Sequence, residues 1–355
     1  MYRFSLPAAV FTAAASPLWA DVPAVATDIA PVHALVSQVM EGVGTPDLIV
    51  PPRSSPHGYA MRPSEARALS GADLVVWVGP LLTPWLADPL ESLASSASHL
   101  ALMEQPGTRV LAFREGASFE AHDHGDEGGE AHGGAEEGHD HEEHDHGEHD
   151  HEQHDHEQHD HEQHDHDGHD TQSSEEDHDG HTHSGDDPHV WLDPHNGQLW
   201  LGQIAEALAE LDPENAARYR ENAKAAQSEL AVLEKDIAEV LAPVKDRPFI
   251  VFHDAYHYFE ARFDVEARGA ISENDARAPG AARVAELRDL VAESGAKCVF
   301  AEPQFNPGLI AAVTEGQDTG TGTLDPVGAE LKLGSSFYTD LLRGMAQSMA
   351  DCLSD

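Results

Sequence analysis

The feature that most restricts this chain is a long stretch with nothing to build a core from. From Gly116 to Asp187 it carries 27 of the 65 Asp and Glu, 19 of the 26 His, and no Lys or Arg. Its middle is an imperfect five-residue repeat, His-Asp-His-Glu-Gln from His149, again from His154 and His159, with a variant from His164. Almost no large apolar side chain is available to offset the entropy of ordering such a segment, so it is expected to be disordered. Any core must come from the two flanks. The formal net charge of −45 is concentrated in the same stretch. Clustered Lys/Arg of the kind that neutralises phosphates is missing, which argues against a nucleic-acid partner.

Both flanks read as α/β. Before the tract, Ala24–Thr27 is a short strand, and Pro31–Glu41 a helix with Val32, Leu35, Val36 and Val39 on one face. Asp47–Val50 is the next strand, Pro63–Leu69 a helix closed by Gly71, and Leu74–Val78 a continuously apolar strand. Apolar strands alternating with helices point to a parallel sheet with helices on its faces. After the tract, Asp193-Pro194 and Asp212-Pro213 each pair an N-cap with proline at the first helical position. Apolar residues at Tyr219, Ala223, Ala226, Leu230, Leu233, Ile237 and Val240 then mark one long amphipathic helix. Strands at Phe249–Phe252 and Lys297–Phe300 and helices at Ala281–Ser294 and Asn306–Glu315 resume the earlier rhythm. The expected fold is therefore α/β: two lobes, each a parallel sheet flanked by helices, joined by one long rigid helix. Its boundaries are an N-terminal lobe over 21–211 with the insertion at about 116–187, the helix over 212–241, and a C-terminal lobe over 242–355.

The first 20 residues read as an export signal. Arg3 is the basic residue, Phe4 to Ala15 is mostly apolar, and Leu18-Trp19-Ala20 offers a cleavage site near Ala20. Cys298 and Cys352 are the two cysteines. In an oxidising compartment such a pair reads as one disulfide, with two separate buried thiols as the alternative.

Seven histidines lie outside the tract, and three of them sit at informative places. His57 follows the strand ending at Val50, His253 follows the strand ending at Phe252, and His189 stands at the far edge of the tract. Parallel sheets bind ligands beyond the carboxyl ends of their strands. Three neutral imidazoles with a carboxylate or water suit Zn(II) in a tetrahedral site. Asp325, after Gly322-Thr323-Leu324, is the carboxylate candidate. His257, four residues after His253, reads as a surface histidine or an accessory ligand. His33, His99 and His195 read as structural or solvent-facing. The tract histidines His149, His151, His154, His156, His159, His161, His164 and His166 are expected to give weak accessory metal sites.

These motifs resemble a known family. Ser55-Pro56-His57-Gly58-Tyr59, Asp187-Pro188-His189-Val190-Trp191-Leu192-Asp193-Pro194, Phe252-His253-Asp254-Ala255-Tyr256, Ala301-Glu302-Pro303-Gln304-Phe305 and Gly322-Thr323-Leu324-Asp325-Pro326 look like the zinc-uptake substrate-binding proteins of ABC transporters (ZnuA-like, cluster A-I). The resemblance implies a periplasmic, monomeric, non-enzymatic protein that binds zinc between two lobes. Its partners would be the membrane permease of a zinc ABC transporter and a periplasmic zinc chaperone. It also implies His57, His189 and His253 as ligands and a Cys298–Cys352 disulfide, and it likens the tract to the family's His-rich insertion. Manganese-binding relatives carry a carboxylate where His253 stands, so a manganese transporter is the alternative within the family. Outside it stand a metal-storage or adhesion protein working through the tract, and a zinc hydrolase. Against the hydrolase, the tract offers His-Glu-Gln-His, one residue short of the metalloprotease helix motif.

Overall fold

The computed structural model describes residues 22–114, 119, 185–272 and 281–354. Residues 1–20, expected to be an export signal, lie outside the described residues, as do the repeat histidines and the body of the tract. Three-residue buried β1 (Val25–Thr27) leads into α1 (Ala30–Val39), then β2 (Asp47–Leu48), α2 (Pro63–Ser70), β3 (Leu74–Trp77), α3 (Ala87–Leu93) and β4 (Ser98–Ala101). These strands form one wholly parallel sheet in the order β2-β1-β3-β4. Beyond the tract come α4 (Pro194–Leu211), α5 (Ala216–Leu241), β5 (Phe249–His253), α6 (His257–Phe263), β6 (Ala267–Ser272), α7 (Ala281–Ser294), β7 (Cys298–Ala301), α8 (Pro307–Thr314), β8 (Gly320–Thr323) and α9 (Phe337–Leu353). The second sheet is again parallel, in the order β6-β5-β7-β8. Each sheet thus repeats one winding, with its crossover between its first and third strands.

The expected two parallel sheets and long helix are present. α5 runs 26 residues, about 39 Å at 1.5 Å per residue. Its buried face is Tyr219, Ala223, Ala226, Leu230, Leu233, Ile237 and Leu241. The spacing placed Val240 on that face, but Val240 is 38 % exposed and Leu241 closes the stripe instead. The Asp212-Pro213 start is also displaced. Asp212 spends its carboxylate on the Asn215 backbone and amide N–H groups and on Tyr219 Oη, so a turn precedes the helix. At α4 the cap is where the sequence put it, with Asp193 accepting from the His195 N–H at 2.9 Å.

Helix α9 returns from the second sheet to pack on α1 and α5. Its Tyr338 ring lies so close to Gly197 of α4 that a Cβ there would stand 2.7 Å from the phenol oxygen. Cys298, opening β7, is bonded to Cys352 near the end of α9, closing a 54-residue separation. No helix among the described residues is long and apolar enough to cross a membrane.

The ends of the tract are built into the fold. Phe113 donates its N–H to Gly185 and Asp187 donates to Leu111, zipping exit and return together. Arg114 then plunges inward, 9 % exposed at its side chain, to pair with Asp254 and Glu260. Phe119 packs under its guanidinium at 3.9 Å.

Candidate metal centre

Three histidines arrive at one point from three connections. His57 is carried by the loop between β2 and α2, pinned where Trp85 Nε1 donates to the Pro56 carbonyl at 2.8 Å. His253 is the last residue of β5. His189 stands two residues past Asp187, before the short 3-10 turn Val190–Leu192. That turn is held from several sides: Trp191 Nε1 donates to the Pro326 carbonyl, Tyr338 Oη donates to the Trp191 carbonyl, and Tyr258 Oη donates to the Asp187 carbonyl. His189 and His253 are buried and His57 is half-buried.

One ligand nitrogen from each imidazole lies within 4.8 Å of the other two. The Nε2 atoms of His57 and His189 are 3.3 Å apart. Ligands about 2.0–2.1 Å from a tetrahedral centre are separated by about 3.3 Å, so this pair already has zinc-ligand spacing. Carboxylates stand behind two of the rings. His189 Nδ1 is 2.7 Å from Asp187 Oδ1, and His253 Nδ1 is 2.6 Å from Glu302 Oε1. An Nδ1 proton donated to a carboxylate puts the ring's lone pair on Nε2 and fixes the ring plane. Burial pushes the Asp187 carboxyl up to about 8, while the His189 backbone N–H pulls the other way. A cation on Nε2 reverses that balance, because it places the shared proton on the ring and the negative charge on Asp187.

Around this point is a cavity of about 20 Å³, lined besides the histidines by Ser55, Trp191, Glu302, Gln304, Phe305 and Val327 among others. Such a volume suits one ion or one water. Apolar walls strengthen any charge interaction inside it.

Asp325 is not brought into the group. Its Oδ1 accepts from Gln304 Nε2 and from the N–H groups of Val327 and Gly328, and its Oδ2 accepts from the Ala329 N–H. A carboxylate one turn beyond a strand looked like a ligand, but the turn it opens absorbs its lone pairs. His33 is buried elsewhere, its Nε2 3.1 Å from the Pro46 carbonyl. His99 sits against the Ala94 carbonyl, and His195 is exposed at the start of α4. His257 opens α6 apart from the three-histidine group; burial, then Arg114, holds its imidazole below the ordinary value. Sequence reasoning gave no metal role to Asp187, Glu302 or Gln304 individually. Their positions behind or beside the three histidines are set by the folded sheets, and the adjacency of Asp187 to His189 was the one local signal.

The pattern of the family described as zinc-uptake complex component A periplasmic matches residues 25–352. The high-affinity zinc uptake system protein ZnuA of Brucella suis biovar 1 (strain 1330) is 48 % identical over 330 residues, covering 93 % of this chain and 91 % of that protein. Its counterpart in Paracoccus denitrificans (strain Pd 1222) is 45 % identical over 347 residues, covering 98 % and 96 %. A crystal structure of ZnuA superposes with a TM-score of 0.66 at 21 % identity, covering 93 % of this chain and 99 % of that one.

Proposed function

The chain belongs to the zinc-uptake complex component A periplasmic family, and on that premise we propose that it is the high-affinity zinc-binding component of an ABC importer. In this reading it works as a monomer in the periplasm, captures Zn(II) between its two sheets and delivers it to the membrane permease. A periplasmic zinc chaperone is a second partner in the same reading. The family is one of transport binding proteins, and no catalytic step forms part of the proposal.

The observation that carries it is the convergence of His57, His189 and His253 with a carboxylate behind two of them. Zinc is the cargo here. Capture needs neutral imidazoles whose lone pairs already face one point, which limits the ordering cost of binding. Asp187 and Glu302 offset the cation's charge inside an apolar cavity without occupying its coordination positions. Three imidazoles favour zinc over manganese, which prefers oxygen donors. The tract contributes weak sites that feed or sense the metal, and the tight site does not depend on it.

His253→Asp tests the ligand set. Zinc affinity should fall, its dependence on pH below about 6 should flatten as one titrating imidazole is lost, and relative preference should move toward manganese. Zinc and manganese titrations at several pH values read this out. Unchanged zinc affinity and an unchanged pH slope would remove His253 from the site.

A further inference from the structure

Gln304 stands three residues beyond β7 and lines the cavity with the three histidines. Its Nε2 donates to Asp325 Oδ1 at 3.1 Å. A carboxylate only accepts hydrogen bonds, so this contact decides which end of the amide is nitrogen and which is oxygen. Asp325 is in turn fixed by the N–H groups of Val327, Gly328 and Ala329. The remaining atom, Gln304 Oε1, is buried, and among the described residues it has no hydrogen-bond partner. Buried carbonyl oxygens are nearly always satisfied, and one that is not is a mark of a ligand or of function.

A tetrahedral zinc site with three imidazoles has one position left to fill. We infer that Gln304 Oε1 supplies that position as an uncharged oxygen ligand, and that Asp325 acts on the metal only by orienting Gln304. The inference rests on the reading of His57, His189 and His253 as the zinc site. It makes chemical sense for a protein that must also let its cargo go. A neutral amide oxygen completes the coordination shell without adding the attraction of a directly bound carboxylate.

The test uses the full chain at half an equivalent of metal, so that the tightest site fills first. Zinc affinity is read by chelator competition and coordination by the visible spectrum of the Co(II)-loaded protein. Gln304→Leu should weaken zinc about tenfold or more and change the Co(II) bands. Asp325→Asn should weaken zinc as well, but should add nothing in the Gln304→Leu background, because its effect passes through the amide. Thermal melts of the metal-free variants check folding, and Gln304→Asn, which keeps the amide but shortens its reach, should behave as Gln304→Leu does. Wild-type affinity and Co(II) spectrum in Gln304→Leu would overturn the inference, as would an undiminished Asp325→Asn effect in that background. Loss of the histidine site is a separate failure, seen as a tight metal that survives His189→Ala.

Discussion

His253 Nδ1 and Glu302 Oε1 lie 2.6 Å apart across the ends of two neighbouring parallel strands, β5 and β7. This is the crossover point of the second sheet, where its winding reverses and a crevice opens. Asp187 holds His189 in the same manner at 2.7 Å. Both histidines are therefore aimed by carboxylates behind their Nδ1 atoms.

Removing those carboxylates should weaken zinc without unfolding the protein. Glu302→Gln and Asp187→Asn should each lower tight-site affinity about 10- to 100-fold, as loss of a partner behind a metal-bound histidine usually does. Competition titrations measure the affinity and thermal melts control for stability. Wild-type affinity in both variants would show that the rings are oriented by packing alone.

The Arg114 cluster is a stability prediction. Asp254 and Glu260 share one buried guanidinium, with Glu260 2 % exposed. Arg114→Met leaves two carboxyl groups in the interior without their cation, a loss of about 3–5 kcal/mol. Chemical denaturation should show it. The exposed Arg220–Glu206 pair is the control, and its removal should leave the midpoint where it was.

Asp28 gives a pH signature. It is fully buried just after β1, its oxygens accepting from the Ile29 and Val78 N–H groups, and burial pushes its carboxyl up to about 7. The folded protein then holds a proton between about pH 4 and 7 that the unfolded chain has released. Stability from this group is present below about pH 4 and is lost as pH rises toward 7, by up to about 4 kcal/mol. Asp28→Asn should remove that slope. Denaturation of both proteins from pH 4.5 to 7.5 measures it, and a constant difference would mean that the two N–H bonds keep Asp28 ionised throughout.

What was legible in the sequence followed from periodicity and strand ends. The buried stripe of α5 was readable to within one residue because nothing interrupts its spacing. Strands β4 and β6 were missed because Ser98-His-Leu-Ala and Ala267-Arg-Gly-Ala-Ile-Ser lack the continuous apolar run that marks β3. The three histidines that the structure brings together stand out in the sequence because each lies beside a motif or a strand end. Asp325 was read as a ligand for the same reason, and sequence could not show that Val327, Gly328 and Ala329 would consume its oxygens. The tract was read as running to Asp187. Gly185 to Asp187 instead belong to the folded unit, since pairing with Leu111–Phe113 depends on a partner far away in sequence.

In the proposed function the tight site is the three-histidine centre, separate from the tract. Deleting residues 122–182, which lie outside the compact unit that carries both sheets, and measuring zinc by calorimetric titration tests it most directly. One tight zinc should remain while the weaker sites disappear, and His189→Ala in that background should abolish the tight one. Loss of tight binding on deletion alone, or its survival in His189→Ala, would contradict it.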